Sequence, residues 1–268
     1  MKKKQLERVA GAYSRELVVS AENLLPGFSM DAVHRFRVQY KKLRALLRMI
    51  QTDPAVSGRA HISKKLKRVY RISGSIRDLQ LHQQRINTVY RNSKNKPGTY
   101  LLHLKQRTTI CKRKLKEVFS TTAVAKEVEK IMPRLSDSFS KKMISEYMEQ
   151  QWGSIVQLID TKQLSDTNMH RVRKLMKDLF YNMELPGQEN LVVKTGKRKR
   201  VVSLELFKTM LHQLGQFQDL TTEIRMLGTA QLQELPVAAQ KQMEKLRAAR
   251  LAEKNKLKRS LLEQLKTM

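Results

Sequence analysis

The sequence predicts an all-α protein of about eight to ten helices, arranged as two repeated halves. Three observations predict it. Apolar residues recur at steps of three and four along nearly every segment, and no stretch alternates convincingly over strand length. Gly and Pro are sparse, 10 and 6 in 268 residues, and aromatics make up 6%, which disfavours a β-sandwich or barrel. Two short motifs each occur twice, in the same order.

Turn chemistry divides the chain. Leu25-Pro26-Gly27 closes a first helix, Asp53-Pro54 a second, and Asn92 to Gly98 a third; a fourth runs to about Ser120. Further breaks fall near Met132-Pro133, Thr161 to Asn168, Pro186 to Gly196, and Leu235-Pro236. The first repeated motif is V-H-R-F-R-V-Q-Y-K-K-L at 33–43, matched by M-H-R-V-R-K-L-M-K-D-L at 169–179. The second is I-S-G-S-I-R-D-L at 72–79, matched by Q-L-G-Q-F-Q-D-L at 213–220. The offsets, 34 to 170 and 78 to 219, are 136 and 141 residues. Near-equal offsets in the same order point to an internal duplication with halves at 1–120 and 121–268.

The content is 40% hydrophobic and 29% charged, as in globular chains. The net charge of +30 stands apart, with a pI of about 10.4. A compact molecule so charged repels itself, so a polyanionic partner is expected. Residues 1–120 hold 28 basic and 7 acidic side chains, hence +21; residues 121–268 hold 26 and 17, hence +9. The first half should therefore attract anions more strongly. Cys111 is the lone cysteine, which excludes an internal disulfide, and its basic surroundings lack a catalytic His/Asn context. No apolar run approaches the ~20 residues of a membrane span. The basic start M-K-K-K lacks the apolar run of a signal peptide, so a cytoplasmic protein is expected.

On a helix, Val33, Phe36, Tyr40, Leu43, Leu47 and Ile50 form an apolar seam. One position on, His34, Arg37, Lys41, Arg44 and Arg48 repeat the same steps, so a basic stripe flanks the seam for ~21 Å. A solubilising face would point away from the core; this stripe borders the mouth of a groove between packed helices. Long side chains snorkelling along the seam would give the same spacing.

Lys67, Arg71, Gly74 and Asp78 share one helical face, and Lys208, His212, Gly215 and Asp219 reproduce their steps. A helical Gly costs about 1 kcal/mol relative to Ala, so its repeated use suggests close approach of another backbone or a ligand. Asp78 and Asp219 are expected to orient a neighbouring Arg or His, with ordinary intrahelical ion pairing as the alternative.

V-H-R-F-R-V-Q-Y-K-K-L-R-A-L-L-R followed by S-G-S-I-R-D-L, and then a second round, resembles the conserved-histidine α-helical domain, CHAD. The resemblance spans essentially the whole chain and implies a single CHAD domain over 1–268. It implies two pseudo-symmetric helical bundles around a central basic groove or pore that binds inorganic polyphosphate. The family's His and Arg fall on His34 and Arg37, its basic run on Lys41, Lys42, Arg44 and Arg48, and its Arg-Asp pair on Arg77 and Asp78. In the second half the matches are His170, Arg173, Lys177 and Asp219. Asp178 stands where Lys42 stands in the first half, Phe180 replaces Arg44, and Gln218 replaces Arg77, so the second wall is less cationic. Some members carry a triphosphate-tunnel enzyme domain, but there is no E-x-E-x-K signature here, so a stand-alone member is expected.

The expected function is non-catalytic binding of inorganic polyphosphate, with granule association as a corollary. The groove combines the first-half cations with Arg173, Lys177 and Lys208 opposite. No cofactor or metal is expected. Nucleic-acid binding is the alternative, but few aromatics are interleaved with the basic residues and no helix-turn-helix or zinc pattern stands out. The K-R-K-R run at 197–200 fits a solvated loop better than a phosphate contact. A metal-dependent phosphohydrolase is the second alternative. Histidines 34, 61, 82, 103, 170 and 212 show no ligand spacing, and clustered carboxylates for Mg²⁺ are missing.

Overall fold

The structure, a computed structural model, describes residues 3–24, 26–54, 61–93, 95–131, 141–161, 164–183, 190–195 and 198–267. It is 83% helical. The elements in order are α1 (Lys3–Glu22), α2 (Met30–Ile50), α3 (Lys64–Val89), α4 (Gly98–Val118), α5 (Thr121–Glu129), α6 (Lys141–Ile159) and α7 (Asp166–Met183). Strands β1 (Asn190–Thr195) and β2 (Arg198–Ser203) follow, then α8 (Leu204–Met226), α9 (Thr229–Leu232) and α10 (Val237–Thr267).

Serine side chains fix where the four motif-bearing helices begin. Ser29 accepts from the Ala32 amide at 3.2 Å before α2, and Ser63 from Leu66 at 3.1 Å before α3. Ser165 accepts from Asn168 at 3.1 Å at α7, and Ser203 from Leu206 at 3.2 Å before α8. Each cap contributes about 1 kcal/mol and sets the phase of the faces that follow. The turn into α2 holds Phe28 in the left-handed region (φ 52°), buried, with its carbonyl accepting from Gln80 of α3 at 2.8 Å.

Every member of the expected seam is buried, from Val33 to Ile50. Helix α2 packs on α1, α3 and α7, and α7 packs on α6 and α8. On α7, Met169, Val172, Met176 and Leu179 face the same core. A second cluster joins Leu79 and Ile86 of α3 to Tyr100 and Leu104 of α4, Leu232 of α9, and Met243 and Leu246 of α10. Helix α10 is strapped down by charge: Arg250 donates to Glu223 at 3.2 Å, and Lys254 and Lys258 donate to Asp166 at 2.7 and 2.8 Å.

Residues 190–195 and 198–203 correct the sequence reading, while 186–189, 196 and 197 lie outside the described residues. A break and a basic loop were expected; the structure has an antiparallel hairpin pairing Asn190 with Ser203 and Thr195 with Arg198. Valines at 192, 193, 201 and 202 supply its β propensity. Helix α7 also begins at Asp166, inside the expected break; the break at Met132-Pro133 lies outside the described residues.

Candidate anion-binding groove

The groove is built on the α2–α7 contact, with α3 and α8 beside it. On α2, Arg37, Lys41 and Arg44 are half-buried while His34 and Arg48 are exposed. Arg37 is held in place: Nη1 donates to the Tyr70 carbonyl at 2.7 Å, and the guanidinium lies 4.4 Å from the Tyr70 ring centroid. Tyr70 in turn stacks on buried Tyr40, ring centroids 4.0 Å apart. The Tyr70 ring is thus engaged by both Arg37 and Tyr40.

Gly74 explains how Arg37 fits. A Cβ at that position would lie 2.6 Å from Arg37 Nη1 and 3.1 Å from Cζ. What approaches this glycine is therefore a guanidinium, not the backbone or ligand the sequence suggested. At Gly215, Arg173 Nη2 stands 4.0 Å away, a looser version of the same arrangement.

Lys41 sits at the centre. Burial holds its pKa at about 6, reinforced by Lys177, Arg37, Arg173 and Arg44 around it. Burial and the charges of Arg173 and Arg37 likewise pull Lys177 down to about 8. Burial also lowers Arg173, whose Nε is buried without a hydrogen-bond partner among the described residues, as is Nε of Arg44. His34 and His170 are both pushed down, chiefly by partial burial and then by neighbouring cations. His170 Nδ1 is hydrogen-bonded to the Gln218 carboxamide oxygen, so Nδ1 carries the proton.

A cavity of about 390 Å³ opens beside this cluster, lined by Arg173, Lys177, Lys208, His212, Gly215 and Asp219 among others. Lys208 is 3.7 Å from Glu205 one turn back, and His212 pairs with Gln216. Lys67 and Arg71 are exposed on α3, two turns and one turn before Gly74.

Other expected site residues are differently engaged. Arg48 donates to buried Asp178 of α7, and Arg44 lies 3.9 Å from the same carboxylate. Arg77 donates to the Met30 carbonyl at 3.1 Å, at the start of α2. Lys42 lies about 6 Å from the rings of Tyr13 and Tyr181. Asp78 is 3.9 Å from Arg225; Asp219 accepts from Arg85 at 2.6 Å.

The sequence reading missed three features. Tyr70 holds Arg37; its place one residue before Arg71 on the motif helix was the available signal. Asp178 neutralises the Arg44–Arg48 end of the stripe. Buried His82, hydrogen-bonded to Tyr100 Oη at 2.7 Å, stands 3.9 Å from buried Glu223.

Residues 8–228 match the CHAD domain model, and the chain belongs to that family, which is known to bind polyphosphate. The match ends before α9 and α10. Among solved structures, the CHAD domain from the plant Ricinus communis superposes with a TM-score of 0.70 at 16% identity, covering 99% of this chain and 92% of that one. PptA from Streptomyces chartreusis gives 0.71 at 14% identity, covering 100% of this chain and 99% of that one. At such identities the likeness is one of fold. Comparison with curated protein sequences gave no match.

Proposed function

We propose that this CHAD protein binds inorganic polyphosphate in the α2–α7 groove, without catalysing its turnover. The observation that carries the reading is the convergence of Arg37, Lys41, Arg173 and Lys177, basic side chains pressed together and partly desolvated. Such a cluster is unfavourable when empty and is relieved by a polyanion. The orphaned Nε donors of Arg44 and Arg173 also call for acceptor oxygens. Arg supplies bidentate forks to phosphate oxygens and Lys mobile point charges.

A bare phosphate chain suits the groove better than nucleic acid. The ring nearest the cations, Tyr70, is already taken by Arg37 and Tyr40, so it offers no platform for a base. The matched Arg–Gly arrangements, Arg37 on Gly74 and Arg173 near Gly215, support reading 1–120 and 121–268 as duplicated halves. The same reading places the protein in the cytoplasm, where it would associate with polyphosphate granules.

The test is competition at near-physiological salt: labelled long-chain polyphosphate against duplex DNA and single-stranded RNA at matched phosphate concentration. Preference for polyphosphate by about tenfold, roughly 1.4 kcal/mol, supports a groove selective for a narrow phosphate chain. Equal or better binding of nucleic acid would make it a general basic surface.

A further inference from the structure

A second cationic hollow lies outside the groove. It has a volume of about 440 Å³ and is lined by Lys64, Lys65 and Arg68 of α3 together with Glu117, Val118, Phe119 and Ser120. Three cations against one acid line it. The first turn of α3 carries no acidic residue, although a helix start disfavours cations. Lys64, Lys67, Arg68 and Arg71 are all exposed, and among the described residues none forms an ion pair. The α10 cations Arg250, Lys254 and Lys258 contrast with them, each being bonded to a carboxylate.

The hollow is joined to the groove. Lys64, Lys67, Arg71 and Gly74 follow steps of three, four and three, so they share one face of α3. That face runs ~15 Å from the hollow to the glycine on which Arg37 rests. Lys67 and Arg71 bridge the interval. A flexible linear polyanion can follow this curved path over α3.

We propose that the hollow at Lys64, Lys65 and Arg68 is a second polyphosphate-binding point, joined to the groove by Lys67 and Arg71, so that one chain occupies both. The proposal rests on the groove reading. It makes the protein selective for chain length, because a short phosphate oligomer fills the groove alone while a long chain continues to the hollow.

The experiment titrates the full chain with tripolyphosphate and with long-chain polyphosphate. It compares the wild type with a Lys64→Gln, Lys65→Gln, Arg68→Gln variant, whose exposed positions leave the melting curve as a control for folding. The variant should bind the long chain about tenfold more weakly, and its salt slope should fall by about 2, as for lost phosphate contacts. Tripolyphosphate affinity should stay within about twofold, since those contacts lie outside the groove. Unchanged long-chain affinity overturns the second point, and so does an equal loss for both ligands. A wild type that binds neither ligand overturns the groove reading and this proposal together.

Discussion

Asp219 of α8 accepts a hydrogen bond from Arg85 of α3 at 2.6 Å, while Asp78 of α3 stands 3.9 Å from Arg225 of α8. Each acid meets an arginine of the other helix. Asp219 also supplies negative charge felt by Arg77, Arg173 and Lys177. It thus tempers the very cations assigned to the ligand.

Asp219→Asn keeps an acceptor for Arg85 and removes that charge. Polyphosphate affinity should rise roughly fivefold, the Coulomb energy of one nearby charge in water being about 1 kcal/mol. Stability should change by less than about 1 kcal/mol, because the ion pair is well exposed. Titration calorimetry and thermal melting check the two halves of this expectation.

The contrast between Gly74 and Gly215 gives a sharper test of the groove. In Gly74→Ala the new methyl would collide with the Arg37 guanidinium and drive it from the Tyr70 carbonyl and ring. Helix propensity gains about 1 kcal/mol, so the protein should remain folded while binding weakens by about tenfold. Gly215→Ala meets only Arg173 at 4.0 Å and should bind normally. Equal effects of the two substitutions would remove Arg37 from the site.

Acid stability should report on His82. Burial and the nearby charges of Arg85, Arg107 and Arg250 hold it at about 4, below the ordinary 6.5. The unfolded chain therefore binds the extra proton between those values, and stability falls as pH drops from about 6.5 to 4. The loss approaches roughly 3 kcal/mol. Glu223 acts in the opposite sense, since burial raises its pKa. The measurement is thus the difference between wild type and His82→Asn, whose acid-side loss should be smaller. Parallel stability curves for the two proteins would contradict it.

The seam of α2 could be read from sequence because it needs only the 3.6-residue period and the volumes of Val33, Phe36, Tyr40 and Leu43. The stripe one position on was equally visible, since it borrows the same period. What escaped depends on partners far away in the chain. Nothing in the spacing of Arg44 and Arg48 announces Asp178, 130 residues beyond Arg48, which caps that end of the stripe. His82 looked scattered because Tyr100 and Glu223 reach it only after α3, α4 and α8 have packed. The β1–β2 hairpin was a different failure. Its two valine pairs flank Gly196-Lys197, a recognisable hairpin signal that the lysine and arginine run obscured.

The central claim is that a phosphate polymer relieves the charge pressed together around Lys41. With Lys41 at about 6 and Lys177 at about 8, the empty groove is partly deprotonated at pH 7.5. A bound polyanion raises both values, so binding takes up protons and weakens as pH rises. In the absence of ligand the sign reverses for stability: the depressed Lys41 favours folding increasingly as pH climbs from about 6 towards 10.5. The decisive measurement is calorimetric titration of polyphosphate at pH 7.5 in two buffers of different ionisation heat, on the wild type and Lys41→Met. We predict uptake of about one to two protons by the wild type and about one fewer by the variant. Binding without proton uptake, or with the same uptake in both proteins, would place the polymer elsewhere on the molecule.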